Sequence, residues 1–274
     1  MMYYRIFVWI SSLILIIGCQ SNTEKGAELF RNQEYEEALF QFQQANKLYP
    51  NDVTIIYNLG RTLEELERFD EAIVFFNIYL NKSPEKLSGY LGRGRCFFEK
   101  DYLVGAEIDF TNAIRLEKGS FDAFYMRGRT RIKMNYHTRG ICDLNNALDI
   151  NKDHVRSHYY RGLGYAGIGL FDSAIRDLTF VIEQEPGIVQ AYYNRAFCYE
   201  QRRNFLSAIQ DYTIALEQNP TYANALYKRG VCYLLMGEKE LACQDLWSLE
   251  DLKDKRAIVL LKQYCDGVKH LSRS

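Results

Sequence analysis

Glycine recurs at Gly26, Gly60, Gly94, Gly128, Gly162 and Gly230, with Ala196 filling the one gap in a ladder of 34-residue steps. Twelve residues after each rung stands another small residue: Ala38, Ala72, Ala106, Gly140, Ala174, Ala208 and Ala242. Four further on comes a large apolar or aromatic one: Phe42, Phe76, Phe110, Leu144, Leu178, Tyr212 and Leu246. All four prolines of the 274-residue chain, Pro50, Pro84, Pro186 and Pro220, keep the same register. A strict period of this length excludes a chain folded around one irregular core. It requires a stack of like repeats, each burying a face against the next. Steps such as Tyr192 to Tyr199 and Ala208–Tyr212–Ala215 follow the helical period. Proline, ~5% of an average chain, is scarce here and falls only between periodic segments, so the segments are helices.

The physical content of one period is a helical hairpin. The two small positions let two helices approach, the large residue fills their seam, and proline ends the second helix. The period, the small-residue pair and the terminal proline resemble the tetratricopeptide repeat, most closely over 191–220, AYYNRAFCYEQRRNFLSAIQDYTIALEQNP. The resemblance covers residues 23–250 as seven repeats. It implies an all-α, right-handed α-α solenoid, closed by a capping helix and tail over 251–274 in which Ala257, Ile258, Leu260, Leu261 and Tyr264 form an apolar stripe. The family's first-helix tryptophan is absent; Ile56, Tyr90, Phe124, His158, Tyr192 and Leu226 take its place. Repeat 4 departs most, with Gly140 for alanine and Lys152 where proline is expected. Repeat 1 is clipped, its rung for the helix start being Cys19.

The first 18 residues read as an address. Arg5 precedes an apolar run over Ile6–Ile17 that is too short for a membrane span of ~20 residues and suits a secretory signal. Ile16-Ile17-Gly18-Cys19 resembles the lipobox of bacterial lipoproteins. That resemblance implies cleavage after Gly18, lipidation of Cys19, a tether over 19–22 and an envelope location, with Gln20 pointing to the outer membrane facing the periplasm.

Lys plus Arg is 34 against 35 for Asp plus Glu, a balance that argues against a nucleic-acid partner. Gly162, Gly164 and Gly167 match G-x-G-x-x-G, but the first is a rung inside a helix, not a turn after a strand. His137, His154, His158 and His270 form no metal spacing, and no nucleophile–base pair stands out. The reading is a non-enzyme with no metal and no small-molecule cofactor. Cys96, Cys198 and Cys232, with Cys142, read as small buried hydrophobes.

Three sets of residues carry the remaining expectations. By resemblance, the first helices form a concave wall that holds a protein or peptide segment. On it stand Tyr57, Tyr125, Tyr159, Tyr193 and Tyr227, followed four residues on by Arg61, Arg95, Arg129, Leu163, Phe197 and Val231. Such a wall favours a segment acidic at one end and apolar at the other; an alternative for the tyrosines is packing against the adjoining repeat. Second, Arg and Asp sixteen residues apart recur as Arg93–Asp109, Arg127–Asp143, Arg161–Asp177, Arg195–Asp211 and Arg229–Asp245, while repeat 2 replaces both at once with Leu59 and Phe75. This joint change points to contact across the hairpin. Third, Cys243 and Cys265 lie about equally far on either side of the turn near 251–254, so antiparallel helices would bring them level as a candidate disulfide. The function read from the sequence is a membrane-anchored interaction scaffold. Its alternatives are an envelope-biogenesis helper holding cell-wall or outer-membrane proteins, and a cytoplasmic adaptor if the N-terminus is not processed.

Overall fold

The computed structural model describes residues 22–268; the expected signal, Cys19 and the last six residues lie outside this range. Among the described residues every regular element is a helix. Helix α1 covers residues 22–31 of this range. It is followed by α2 (Tyr35–Leu48), α3 (Val53–Glu65), α4 (Phe69–Lys82), α5 (Leu87–Glu99), α6 (Leu103–Leu116) and α7 (Phe121–Lys133). The second half holds α8 (His137–Ile150), α9 (Val155–Gly167), α10 (Phe171–Gln184), α11 (Val189–Gln201), α12 (Phe205–Gln218), α13 (Ala223–Met236), α14 (Lys239–Asp251) and α15 (Lys255–Tyr264). No described helix is long and apolar enough to cross a membrane.

The helices alternate as first and second members of a hairpin, each packed mainly on its neighbours in sequence. Among the described residues they group into two compact units that divide between Met134 and Asn135. The division falls within repeat 4, the one that lacks both the lattice alanine and the proline.

Each hairpin turns at the residue seven past the rung, in the left-handed conformation. Gln33, Glu67, Asp101, Asn135 and Arg203 have φ between 57° and 65° there, and only Gly169 and Gly237 meet that geometry without a Cβ. The seam residues Phe42, Phe76, Phe110, Leu144, Leu178, Tyr212 and Leu246 are all at most 1% exposed. Glycine is demanded where phenylalanine fills the seam. A Cβ on Gly94 would meet Phe110 Cε1 at 2.7 Å, whereas one on Gly230, opposite Leu246, would meet nothing closer than 3.5 Å. Ala196, the one rung with a methyl group, is fully buried opposite the fully buried Tyr212.

Within the first unit, α3 touches α5 and α5 touches α7; within the second, α9 touches α11 and α11 touches α13. Consecutive second helices make no comparable contact among the described residues. The first helices therefore form the inner layer of each unit and the second helices the outer one.

Candidate functional site

The inner layer holds every residue expected on the wall, at graded exposure. Tyr125 is buried, at 8%, and so is Leu91, the residue in the one gap of the tyrosine ladder. The remainder are half-buried. Several tyrosines pack on neighbouring elements. Tyr57 lies 5.0 Å from Tyr79, and Tyr193 lies 5.0 Å from Tyr222 and 5.6 Å from Tyr212, centroid to centroid. Tyr159 accepts a hydrogen bond from Asn194 Nδ2 of the next repeat at 3.1 Å, and burial pushes its hydroxyl up to about 12. Arg256 from the cap lies 4.8 Å above the Tyr227 ring.

The basic stretch expected in repeats 2–4 is largely neutralised from within. Arg95 makes a bidentate pair with Glu64 of the preceding repeat, and Arg129 Nη2 stands 4.0 Å from Glu99 Oε1 while its guanidinium covers Phe98 at 4.2 Å. Arg61 lies 4.6 Å over Phe30. The expected preference for an acidic end of a ligand is corrected accordingly: two of its three arginines already face carboxylates. Reading along one lattice position missed this, because the partner sits 30 or 31 residues back on a different position. The apolar stretch in the second unit is as expected in composition. Leu163, Phe197 and Val231 are half-buried, with Phe171 6.4 Å from Phe197 and Lys228 Nζ 5.2 Å above its ring.

Beside this wall lies a polar cluster with no precursor in the sequence reading. Glu200, 11% exposed, accepts from Tyr212 OH at 2.9 Å and from Lys228 Nζ at 2.9 Å. Tyr212 is the seam residue, so its buried hydroxyl needs an acceptor. Burial raises its pKa, and the nearby Glu200 carboxylate adds to the effect. Glu64 and Glu200 share one lattice position, and both turn their carboxylates to a cation of the next repeat.

The Arg–Asp pairs lie behind the wall, across the hairpins. Arg93, Arg161, Arg195 and Arg229 each bind their aspartate through Nε and Nη2 at 2.7–2.9 Å. These aspartates are at most 5% exposed. Arg127 and Asp143 belong to different units; Arg127 itself reaches Thr111 Oγ1 at 3.2 Å. The remaining guanidinium nitrogen, Nη1, points sixteen residues the other way, to Asn77 at 2.6 Å, Asn145 at 2.9 Å, Thr179 at 3.0 Å and Thr213 at 2.9 Å. Each arginine thus joins its own aspartate to the second helix of the preceding repeat. The Asn/Thr run at 77, 111, 145, 179 and 213 was legible in the sequence but was not read. Burial pushes the Asp109 and Asp245 carboxyls up, and the hydrogen bonds from Arg93 and Arg229 oppose it. His158 joins one pair: Nδ1 lies 2.8 Å from Asp177 Oδ1 and Nε2 lies 2.9 Å from the Lys152 carbonyl.

Cys243 and Cys265 are bonded, with S–S 2.00 Å, and join α14 to the end of the capping helix. Cys96, Cys198 and Cys232 are buried thiols whose pKa burial pushes up to about 12; Cys142 is exposed, contrary to the sequence reading, because its helix position faces outward. Gly162, Gly164 and Gly167 all lie within α9, so no strand-to-helix phosphate loop is formed there.

Tetratricopeptide-repeat models match residues 29–88, 189–222 and 212–244. A comparison with curated proteins finds no match. Among solved structures the chain is similar to a tetratricopeptide repeat protein from Parabacteroides merdae, at 20% identity and TM-score 0.65, covering 89% of this chain and 98% of that one. It is also similar to YrrB, described as a TPR protein with an unusual peptide-binding site, at 24% identity and TM-score 0.60, covering 68% of this chain and 95% of that one. MamA is similar at 24% identity and TM-score 0.56 over 63% of this chain and 94% of its own. With the 34-residue ladder and the hairpin stacking, these matches show that the chain carries tetratricopeptide repeats and has their all-helical fold.

Proposed function

We propose that this protein is a non-enzymatic scaffold of the bacterial envelope, lipid-anchored at Cys19, that holds an extended protein segment along the inner layer of its first helices. The observation that carries the reading is the half-exposed row Tyr159, Tyr193, Phe197 and Tyr227 in the second unit. Lys228 and Arg256, the cations beside it, are already paired with Glu200 and Asp254. A wall of aromatic rings with neutralised charge suits an uncharged, apolar or aromatic stretch of a partner. The peptide-binding description of YrrB supports the same use of the fold by analogy. The Cys243–Cys265 bond supports an oxidising compartment, and so an envelope location over the cytoplasmic alternative.

The test is site-specific photocrosslinking in cells that express the full chain. A crosslinker at Tyr193 should trap a protein partner, and one at Gln210, on the outer layer, should not. Equal yields from both positions, or none at Tyr193, would overturn the inner-wall reading. For the anchor, Cys19→Ala should move the protein out of the membrane fraction; unchanged retention would overturn lipidation.

A further inference from the structure

The outer layer differs between the two units in a way that neither the repeat fold nor the inner wall requires. Fourteen residues past each rung, on the outward side of the second helix, stand Phe40, Val74 and Ile108, exposed by 56%, 54% and 56%. Ile78 and Val104 extend this face at 37% and 54%. The same position carries the small, exposed Cys142 in repeat 4 and Arg176, Gln210 and Gln244 in repeats 5–7. The ladder of large apolar side chains is therefore confined to α2, α4 and α6.

A second feature has the same distribution. Helices α2, α4 and α6 each end in a cation, Lys47, Lys82 and Arg115, whereas the last turns of α8, α10, α12 and α14 carry none. Lys47 and Arg115 lie seven residues beyond Phe40 and Ile108, and Lys82 lies four beyond Ile78, so each cation shares a face with its apolar residue. None of the three is ion-paired among the described residues; Lys82 donates to the neutral Asn51 Oδ1 at 2.9 Å. Exposed leucines of the second unit, such as Leu206 and Leu241, stand without a cation in the last turn of their helices.

Apolar residues flanked by long basic side chains fit the boundary of an anionic bilayer. The apolar groups enter the headgroup region, and the cations extend to the phosphates. The position of the chain end agrees. Gly26 faces Phe42 across the first hairpin, so residue 22 lies level with the last turn of α2, where Lys47 stands. Cys19 is three residues upstream in the sequence, a length of chain that spans at most roughly 10 Å. The first-turn carboxylates Glu36, Glu37, Asp70 and Glu71 sit at the opposite end of these helices.

We infer that the outer face of α2, α4 and α6 docks on the surface of an anionic phospholipid bilayer, with the basic helix ends toward the phosphates. The inference rests on lipidation at Cys19, because five exposed apolar side chains are a weak anchor alone and act here at the high local concentration that a tether provides.

The test uses the full-length lipoprotein reconstituted in phosphatidylethanolamine–phosphatidylglycerol vesicles that contain brominated acyl chains. Tryptophan is introduced singly as Phe40→Trp, Val74→Trp or Ile108→Trp, and for comparison as Arg176→Trp, Gln210→Trp or Gln244→Trp. All six positions lie on the outer surface, so the substitutions leave the seams intact, and circular dichroism checks this. Mass spectrometry of the N-terminal peptide reports the lipid independently. Quenching of the first three by about one third or more beyond the parent protein, with the second three unchanged, is the expected result. A lipidated protein with no quenching at 40, 74 and 108, or with equal quenching in both sets, would overturn the docking face and leave the anchor standing. Self-association that is lost in Phe40→Gln/Ile108→Gln, with no quenching, would assign the face to a second copy instead. An N-terminal peptide without the diacylglycerol mass would overturn the anchor and the docking inference together.

Discussion

The two units follow one lattice yet distribute polarity in opposite senses. In the first, the inner layer carries Arg61, Arg95 and Arg129 while the outer face carries Phe40, Val74 and Ile108. In the second, Leu163, Phe197 and Val231 line the inner layer, and Arg176, Gln210 and Gln244 face outward. The buried layer does not take part in this exchange, since its seam residues are closed throughout. The contrast teaches that a repeat constrains only the positions that touch the next helix. Faces that meet solvent or a partner are free to differ, and there they differ by unit, not at random. One position behind the wall varies within the first unit instead: repeat 2 has Leu59 and Phe75 where repeat 3 has Arg93 and Asp109, and where repeat 6 of the second unit has Arg195 and Asp211.

That substitution gives the sharpest way to break the comparison. Asp211→Ala should destabilise the second unit by about 3 kcal/mol, because the half-buried Arg195 loses its carboxylate and stays desolvated. Arg195→Leu/Asp211→Phe, copying repeat 2, should recover most of that loss, because removing both charges removes the desolvation cost. Urea unfolding of both variants checks this. A double variant as unstable as the single one would mean that the two repeats are not interchangeable at this site.

The bond that closes the second unit comes next. Loop closure over the 22-residue separation of Cys243 and Cys265 is worth about 3 kcal/mol. Cys265→Ser should therefore lower protection from hydrogen exchange in α14 and α15 and leave α3 to α6 unchanged. Uniform loss across both units would show that the units do not unfold separately.

The smallest effect concerns the seam. Phe110 in the first unit and Tyr212 in the second fill equivalent places, but the tyrosine hydroxyl needs Glu200. Tyr212→Phe should cost about 1 kcal/mol, the net value of one hydrogen bond, since Lys228 still satisfies Glu200. Thermal unfolding reads this shift, and a loss above about 3 kcal/mol would mark Tyr212 as the centre of a larger network.

Much of this molecule was legible before any coordinates. The glycine and alanine rungs, the seam residues and the prolines place every hairpin, because helix approach requires small residues and a filled seam at fixed spacing. The joint change of Arg and Asp to Leu59 and Phe75 signalled contact, and equal distances from a turn placed Cys243 opposite Cys265. These inferences hold within one hairpin, where antiparallel geometry fixes which residues are level. Other features were decided only in three dimensions: Glu64 and Glu99 pairing with Arg95 and Arg129, Glu200 bridging Tyr212 and Lys228, and His158 resting between Asp177 and the Lys152 carbonyl. All of these but Tyr212–Glu200 and His158–Asp177 reach across a repeat boundary, and all depend on how far a flexible side chain extends. A 34-residue period fixes where each backbone lies, but the direction of a long polar side chain is set by whichever partner its neighbours leave within reach.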